Sequence, residues 1–241
     1  MSLDRKNILI TGAAQRIGHS LALATAQAGA NIILHYHGSE QAARATQAEI
    51  ESLGRNCYLL QADLSDAGQT QEVIERATRH GPLYALVNNA SLFEPLTWDI
   101  TTLEDWNRIL MVNLTAPFLL SQAFGRAHSA GEPGRILNLL DWRALRPGAD
   151  HLPYTISKAA LAALTRSLAV ALAPHVTVNG LAFGAILPPS DGAATPDLLR
   201  KVPAGRWADL EEVNQAALFL LDGPAYITGE IIHLDGGRHL I

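Results

Sequence analysis

The feature that most constrains the fold is the regular alternation of short apolar runs with longer helical patterns. The runs at 7–11, 31–36 and 134–141 read NILIT, NIILHY and GRILNLLD, and their residues are apolar on both faces. Strands of this kind are covered by helices on both sides of a parallel sheet. The helical patterns between them, such as 39–54 and 152–173, predict βαβ units with right-handed crossovers.

No composition shift, linker or repeat divides the 241-residue chain. We therefore predict an α/β protein with one domain over 1–241. Its architecture is a Rossmann fold, a doubly wound parallel sheet of about seven strands with helices on both faces. In such sheets a ligand binds beyond the carboxyl ends of the strands, where the strand order switches.

Composition argues against several classes of partner. The net charge of −5 and the absence of runs of like charge give no indication of nucleic-acid or membrane-surface binding. The single cysteine, Cys57, cannot form an intramolecular disulfide and fits a reducing compartment. The first twelve residues contain no secretory apolar region, and no run reaches the roughly 20 apolar residues of a membrane span. We expect a cytoplasmic protein.

Two glycines between the first strand and the first helix indicate a phosphate-binding turn. In the segment ILITGAAQRIGHS, Gly12 and Gly18 allow a tight turn and a close approach of the backbone to a phosphate at a helix N-terminus. Two glycines alone would also suit an ordinary turn. Their place in the first βαβ unit favours the dinucleotide. Arg16 stands where such loops often have a middle glycine, and its guanidinium suits an additional phosphate.

The end of the second strand predicts the choice of cofactor. NAD-binding folds place an acid there to bind the ribose 2′-hydroxyl. Here the strand ends in HYHGSE, without an acid at the tip. His37, Ser39 and Arg16 can bind a 2′-phosphate, which predicts NADPH. His37 and Ser39 can also serve only as caps of the next helix, and the two roles are compatible.

The segment LLDWRALRPGADHLPYTISK, residues 139–158, contains the candidate catalytic groups. Tyr154 and Lys158 are four residues apart, on one face of a predicted helix. A phenol is a poor acid or base at neutral pH, and a nearby ammonium is expected to lower its pKa. Asp141 lies thirteen residues before the tyrosine, at the end of the fifth strand. Together these groups predict proton transfer.

Six motifs in order resemble the short-chain dehydrogenase/reductases over the whole chain. They are TGAAQRIG, ADLSD, LVNNAS, VNLTAPFLL, YTISKAALAALTRSLAVALAP and YITGEIIHLDGG. The resemblance implies a catalytic tetrad of which Asn113, Tyr154 and Lys158 are present. Asp141 occupies the place expected for the serine. Asn113 is implied to hold a water that relays protons, although it can also serve only to stabilise its own helix.

Asp141, the loop arginine Arg16, the HYH segment with Ser39, and NNAS followed by Phe93 resemble the pteridine reductase and dihydromonapterin reductase branch. That branch implies an NADPH-dependent homotetramer, built on the helices at about 103–129 and 152–173, that reduces pterin rings. Asp141 and Tyr154 are then the proton donors and Lys158 orients the nicotinamide ribose. An ionised aspartate cannot donate to a ketone oxygen but accepts from the N–H groups of a pterin edge.

The resemblance assigns the remaining site residues. Phe93 stacks on the pterin, although a lone phenylalanine can also be plain packing, and Ser91 contacts cofactor and pterin. Asp63 accepts from the adenine amino group, unless it is only a helix cap. The implied cofactor-binding set is Gly12, Arg16, Ile17, Gly18, His37, Ser39, Asp63, Leu64, Asn89, Ala90, Tyr154, Lys158 and Gly184. The implied substrate-binding set is Arg16, Ser91, Phe93, Asp141 and Tyr154. No metal is implied. The substrate loop, at about 187–205, is short.

Three functional hypotheses remain open from the sequence. The first is an NADPH-dependent reductase of dihydropteridines or dihydromonapterin, extending to dihydrofolate. The second is a reductase of a ketone or a 3-oxoacyl thioester, in which Asp141 is a drifted serine position. The third is a non-enzymatic nucleotide sensor on the same fold, which the presence of both Tyr154 and Lys158 disfavours.

Overall fold

All seven strands of the sheet run parallel. The structure, a computed structural model, describes residues 3–128, 133–188 and 199–241. The strand order is β3-β2-β1-β4-β5-β6-β7, so the order reverses between β1 and β4. The strands are β1 (Asn7–Ile10), β2 (Asn31–Tyr36), β3 (Cys57–Gln61), β4 (Leu83–Asn88), β5 (Gly134–Asp141), β6 (Val176–Phe183) and β7 (Ile231–Leu234). The predicted doubly wound parallel sheet is confirmed.

The helices agree with the sequence prediction except at one place. They are α1 (Arg16–Gln27), α2 (Glu40–Ser52), α3 (Ala67–Thr78), α4 (Leu103–Leu110), α5 (Ala116–Ala127), α6 (Leu152–Leu172) and α7 (Leu210–Asp222). The single helix predicted over 103–129 is wrong as a continuous α-helix, because a π-helical turn at Met111–Thr115 separates α4 from α5. π-Helical turns are rare and occur mostly at functional sites. Short 3₁₀ turns lie at Trp142–Ala144 and Arg238–Leu240.

The two faces of the sheet bury separate apolar layers. Along β1, Ile8 and Ile10 pack towards α1, α2 and α7, whereas Leu9 packs towards α3, α5 and α6. This alternation follows from the period of two in a strand. Because each strand is apolar on both faces, only helices on both sides can cover it, which is why the composition pattern predicts this architecture.

Helix α6 is the longest helix that the structure describes, at 21 residues, and its mean hydropathy of 1.3 meets a composition criterion for a membrane span. This corrects the expectation that no segment approaches that length. Its buried residues include Tyr154, Ser157 and Lys158, and it packs against β6. The most apolar part of α6 is 44% buried, so burial within the chain accounts for only part of its apolar character.

A buried histidine connects the glycine turn to the sheet. His35, in β2, is 2% exposed. Its Nδ1 accepts a hydrogen bond from the Gly12 N–H at 3.1 Å, and its Nε2 lies 3.2 Å from the Ala62 carbonyl oxygen. Since Nδ1 accepts and Nε2 donates, the ring is neutral. Burial lowers the pKa of His35 from 6.5 to about 4.

This arrangement predicts a loss of stability in acid. Between pH 6.5 and about 4 the unfolded chain binds a proton at His35 that the folded chain does not, so the free energy of unfolding decreases as the pH falls. The full shift corresponds to roughly 3 kcal/mol. Urea unfolding from pH 7 to pH 4.5 is the measurement. His35→Gln should show a shallower decrease than wild type, and the exposed His175→Gln should not. Equal slopes in all three proteins contradict this assignment.

Candidate active site

A cleft of about 630 Å³ opens at the switch in strand order. This volume lies within the range of small-molecule sites, and the position is where doubly wound sheets bind ligands. Along the cleft the structure places ten of the predicted cofactor residues, of which Arg16 is also a predicted substrate residue, and the predicted substrate residue Ser91. They are Gly12, Arg16, Ile17, Gly18, His37, Ser39, Asp63, Leu64, Asn89, Ala90 and Ser91.

The turn after β1 is held against the end of β4. Asn89 Nδ2 donates to the carbonyl oxygens of Thr11 at 2.7 Å and Gly12 at 3.0 Å. The Thr11 hydroxyl accepts from the N–H groups of Asn89 and Ala90. Gly12 has a φ of +62°, and a Cβ at Gly18 would lie 2.2 Å from the Gly12 carbonyl oxygen. Gly12 is therefore required by the turn, and Gly18 by the packing of α1 against it.

Arg16 has a left-handed backbone conformation, with a φ of +53°. This explains why a glycine is common at this position in such loops, since other residues there are strained. Strained residues of this kind cluster at ligand sites. The guanidinium is on the surface of the cleft, where Nη2 donates to the Pro188 carbonyl oxygen at 3.2 Å. The centre of the predicted substrate loop, residues 189–198, lies outside the described residues.

The predicted adenine end brings together His37, Ser39 and Asp63. Ser39 precedes α2, but its side chain makes no capping hydrogen bond, so the hydroxyl faces the cleft without that role. The cap of α3 is Asp66 rather than Asp63. Asp63 Oδ1 accepts from the N–H and the hydroxyl of Ser65, which lowers the pKa of the carboxyl. Asp63 Oδ2 lies 3.6 Å from His37 Nε2.

The predicted catalytic side chains meet at the ends of β5 and α6. The Tyr154 hydroxyl donates to Asp141 Oδ2 at 3.1 Å, and Asp141 Oδ1 accepts from the Arg143 N–H at 2.8 Å. Lys158 Nζ donates to the Leu139 carbonyl oxygen at 2.8 Å and lies 5.7 Å from the centre of the Tyr154 ring. Three groups able to carry a proton therefore line one edge of the sheet.

The electrostatics of Tyr154 differ from the sequence prediction. The pKa of Tyr154 is raised well above its usual value, because the phenol is buried and the Asp141 carboxylate disfavours a second anion beside it. The expectation that Lys158 lowers this pKa is wrong for this arrangement. Burial also raises the pKa of Asp141 and lowers that of Lys158 to about 8. Tyr154 is thus a protonated hydrogen-bond donor at neutral pH. This state suits the reducing direction, which needs a proton donor, more than the oxidising direction, which needs a base.

Asn113 lies in the π-helical turn, and its side chain is fully buried. Its Oδ1 accepts from the Leu92 N–H at 2.8 Å. Its Nδ2 donates to the Leu92 carbonyl oxygen at 2.9 Å and to the Ser157 hydroxyl at 3.1 Å. The side-chain amide therefore connects the loop after β4 with α6. A role in relaying protons through water stays a prediction, and the side chain has no free donor for it.

Phe93 lies beside Tyr154, the predicted catalytic tyrosine, rather than in the apolar core. Its side chain is 55% exposed, and its ring meets the Tyr154 ring edge-on at 4.6 Å between centres. Its face is stacked on the ring of His151 at 3.9 Å. The exposure argues against plain packing. His151, which precedes α6 with a φ of +50°, was missed by the sequence analysis.

Gly184 is explained by packing in this structure. A Cβ there would lie 2.6 Å from the Asp235 Cα, and Gly184 is not among the residues that line the cleft. Its contact with the cofactor stays a prediction. The sequence analysis also missed His35, although a histidine inside an apolar strand is a signal of a buried hydrogen-bonding role.

Comparisons with known proteins agree with this geometry. The model of the family described as Enoyl-(Acyl carrier protein) reductase matches residues 12–239. The 5-keto-D-gluconate 5-reductase of Escherichia coli (strain K12) is 34% identical over 98% of this chain and 96% of its own. A 3-oxoacyl-[acyl-carrier-protein] reductase of Synechocystis is 32% identical, with 98% of both chains covered.

A solved structure with the same fold is FolM alternative dihydrofolate reductase 1 from Brucella canis, complexed with NADP. It superposes with a TM-score of 0.92 at 32% identity, over 100% of this chain and 97% of that one. The fold, the glycine turn and the tyrosine–lysine pair define a Rossmann-type oxidoreductase. The chain belongs to the short-chain dehydrogenase/reductase family.

The Asp141–Tyr154 hydrogen bond predicts a spectroscopic effect. Asp141→Asn keeps an oxygen acceptor but removes the anion, so the pKa of Tyr154 should fall. Phenolate absorbance followed during an alkaline titration measures it, with Tyr154→Phe identifying the contribution of this tyrosine. Asp150→Asn, which removes a more distant exposed carboxylate, is the matched control. A Tyr154 titration that is the same in wild type and Asp141→Asn contradicts the coupling.

Proposed function

We propose that this protein is an NADPH-dependent reductase of a pterin ring, acting on a dihydropteridine such as dihydromonapterin and on dihydrofolate. The observation that carries the proposal is the Asp141 carboxylate, which accepts the hydrogen bond of Tyr154 where related ketone reductases are expected to have a serine hydroxyl. The likeness to a protein described as a dihydrofolate reductase supports the same reading.

The residues of the cleft fit a dinucleotide with an additional phosphate. The turn at Gly12 and Gly18 leaves no room for side chains, and the first turn of α1 follows it. Arg16, His37 and Ser39 all line the cleft, and the Ser39 hydroxyl makes no capping hydrogen bond to α2. Arg16 accepts a strained conformation there, which is compensated when its guanidinium binds a phosphate. NADP bound to the Brucella protein agrees with this choice.

In the proposed reaction the bound cofactor supplies hydride to a carbon of the pterin, and the protein manages the proton. Tyr154 keeps its proton at neutral pH and presents it beside the ring, because its pKa is raised. As a carboxylate, Asp141 accepts from the N–H groups of the pterin edge, and in its protonated form, which burial favours by raising its pKa, it shares the donor role with Tyr154. Lys158, held by the Leu139 carbonyl oxygen, orients the ribose. Phe93 is stacked on His151 through one face, and its exposed side chain would stack on the pterin through the other.

The second candidate is reduction of a ketone or a 3-oxoacyl thioester. It is favoured by the sequence relatives, which are named as a ketogluconate reductase and 3-oxoacyl reductases. An ionised Asp141 disfavours it, since a carboxylate repels the developing alkoxide. A nucleotide sensor is disfavoured because Tyr154 is hydrogen-bonded to Asp141 and Lys158 lies 5.7 Å from the centre of the Tyr154 ring, an arrangement that suits proton transfer.

We also propose a cytoplasmic homotetramer. The exposed apolar side chains of α5 and α6 include Phe118, Ile156 and Val170, the last of which is 82% exposed. A second copy of the chain would bury them. The buried free thiol of Cys57 fits a reducing compartment.

The cofactor proposal predicts a selective effect of Arg16. Arg16→Ala should weaken NADPH binding by about tenfold or more and NADH binding much less, because one charge-assisted contact is worth ~1.5–3 kcal/mol. Fluorescence titration with both cofactors is the measurement. Arg79→Ala, an exposed ion-paired arginine on the far end of α3, is the control. Equal losses for both cofactors show that Arg16 does not bind the 2′-phosphate.

The substrate proposal is tested at Asp141. Asp141→Ser should lower kcat/KM for a dihydropterin by roughly ten- to a hundredfold, because the acceptor for the ring N–H and one proton carrier are lost. Reduction of a small activated ketone should stay absent or rise, because a hydroxyl donor replaces a carboxylate. NADPH oxidation with both substrates is the assay. A wild type that prefers the ketone, with pterin reduction unaffected by Asp141→Ser, rules the pterin proposal out in favour of the second candidate.

A further inference from the structure

Two arginines meet around the side chain of Trp142, the residue that follows Asp141. The Arg143 guanidinium carbon lies 4.9 Å from the centre of the Trp142 ring, and that of Arg238 lies 4.3 Å from it. Arg238 belongs to the C-terminal 3₁₀ turn, which packs against the turn at Trp142–Ala144. The fold therefore brings a cation from the end of the chain to the edge of the reacting centre.

Arg143 and Arg238 differ in whether a carboxylate is paired with them. Arg143 is ion-paired with Asp150, but its Nε is buried without a hydrogen-bond partner. The Arg238 guanidinium has no ion pair within the described parts of the chain and is held by its stacking on Trp142. Burial, and then the nearby charge of Arg143, lower the pKa of Arg238, while the charges of Asp141, Asp150 and Asp235 oppose this shift. None of these three carboxylates lies within ion-pair distance of Arg238, so its N–H donors can bind an anion that approaches more closely.

The position of this pair relates it to the substrate rather than to the cofactor. The cofactor cleft is lined by the end of β2, the turns after β1, β2, β3 and β4, the start of α1, and single residues of α4 and the π-helical turn, and neither arginine is among these residues. Trp142 instead continues directly from Asp141, whose carboxylate is assigned to the pterin edge. A substituent that extends from the reacting ring past Asp141 would meet the guanidinium of Arg238.

We propose that Arg238, stacked on Trp142 and supported by Arg143, binds a carboxylate on the distal part of the substrate. The protein therefore selects carboxylate-bearing substrates over neutral ones with the same reacting ring. A guanidinium stacked on an indole retains its N–H donors in the plane of the group, where a carboxylate accepts two of them. The inference rests on the proposed function for the identity of the ring, but not for the charge of the substituent.

The test compares two substrates that share a pterin ring. NADPH-dependent kcat/KM is measured for dihydrofolate, which carries carboxylates, and for dihydrobiopterin, which is neutral. Arg238→Ala should lower the value for dihydrofolate by about tenfold, mostly through KM, and at least fivefold more than the value for dihydrobiopterin. Raising the ionic strength should raise KM for dihydrofolate in the wild type and not in the variant. Arg44→Ala, an exposed ion-paired arginine on α2, is the matched control.

A second measurement does not depend on the ring. p-Aminobenzoylglutamate, which is the carboxylate-bearing part of folate alone, should bind the NADPH-loaded wild type at least tenfold more tightly than Arg238→Ala by calorimetry. Equal losses for the two pterins, or equal binding of this probe, overturn the inference and indicate a structural role of Arg238, such as a subunit contact, which light scattering would show.

If the wild type reduces neither pterin, the proposed function is refuted. The inference about Arg238 is then tested with a second pair of substrates, a keto acid and its methyl ester. Arg238→Ala should then lower kcat/KM for the acid selectively, and equal effects on acid and ester overturn the inference.

Discussion

The parallel pairing of β1 with β4 is the contact on which both halves of the site depend. It reverses the strand order, so the helices on its two sides diverge and leave a cleft above these strands. Asn89 and Thr11 then close the ends of the two strands onto each other with hydrogen bonds between side chain and backbone. The glycine turn is therefore held by hydrogen bonds to Asn89, which follows β4, and to His35 in β2. A change in any of these three residues moves the loop that approaches the phosphates.

The other half of the site, at Asp141 and Tyr154, depends on electrostatics. Burial and then the charge of Asp141 raise the pKa of Tyr154, and Asp141 itself accepts a hydrogen bond from the Arg143 N–H. The positive groups nearby, Lys158, Arg143 and Arg238, compensate this carboxylate without forming a direct ion pair with it. The site therefore combines a protonated phenol with a charged acceptor, whereas a serine at this position would supply an uncharged hydroxyl that can also donate.

Much of the fold follows from the sequence because its signals are periodic and local. Strands that are apolar on both faces allow only a covered parallel sheet, and the glycine spacing identifies the turn that follows β1. Long-range contacts are different in kind. Arg238 contacts Trp142 because the turn after β7 packs against the turn after β5, and these two segments are far apart in sequence. The electrostatic coupling of Tyr154 to Asp141 depends on burial, which no local sequence pattern encodes. The predicted effect of Lys158 on the pKa of Tyr154 was wrong for the same reason, since burial and the Asp141 carboxylate determine that pKa.

The π-helical turn at Met111–Thr115 has a consequence for how this protein can vary. Each residue of an α-helix rotates the chain by about 100°, so the additional residue in this turn sets the angle between the faces of α4 and α5. Asn113 occupies that turn and is bonded to Leu92 on one side and Ser157 on the other. Substitutions can be absorbed here one side chain at a time, but removal of a single residue would turn every later position of α5 away from its partners. The number of residues in this turn therefore determines which face of α5 meets the sheet and α3.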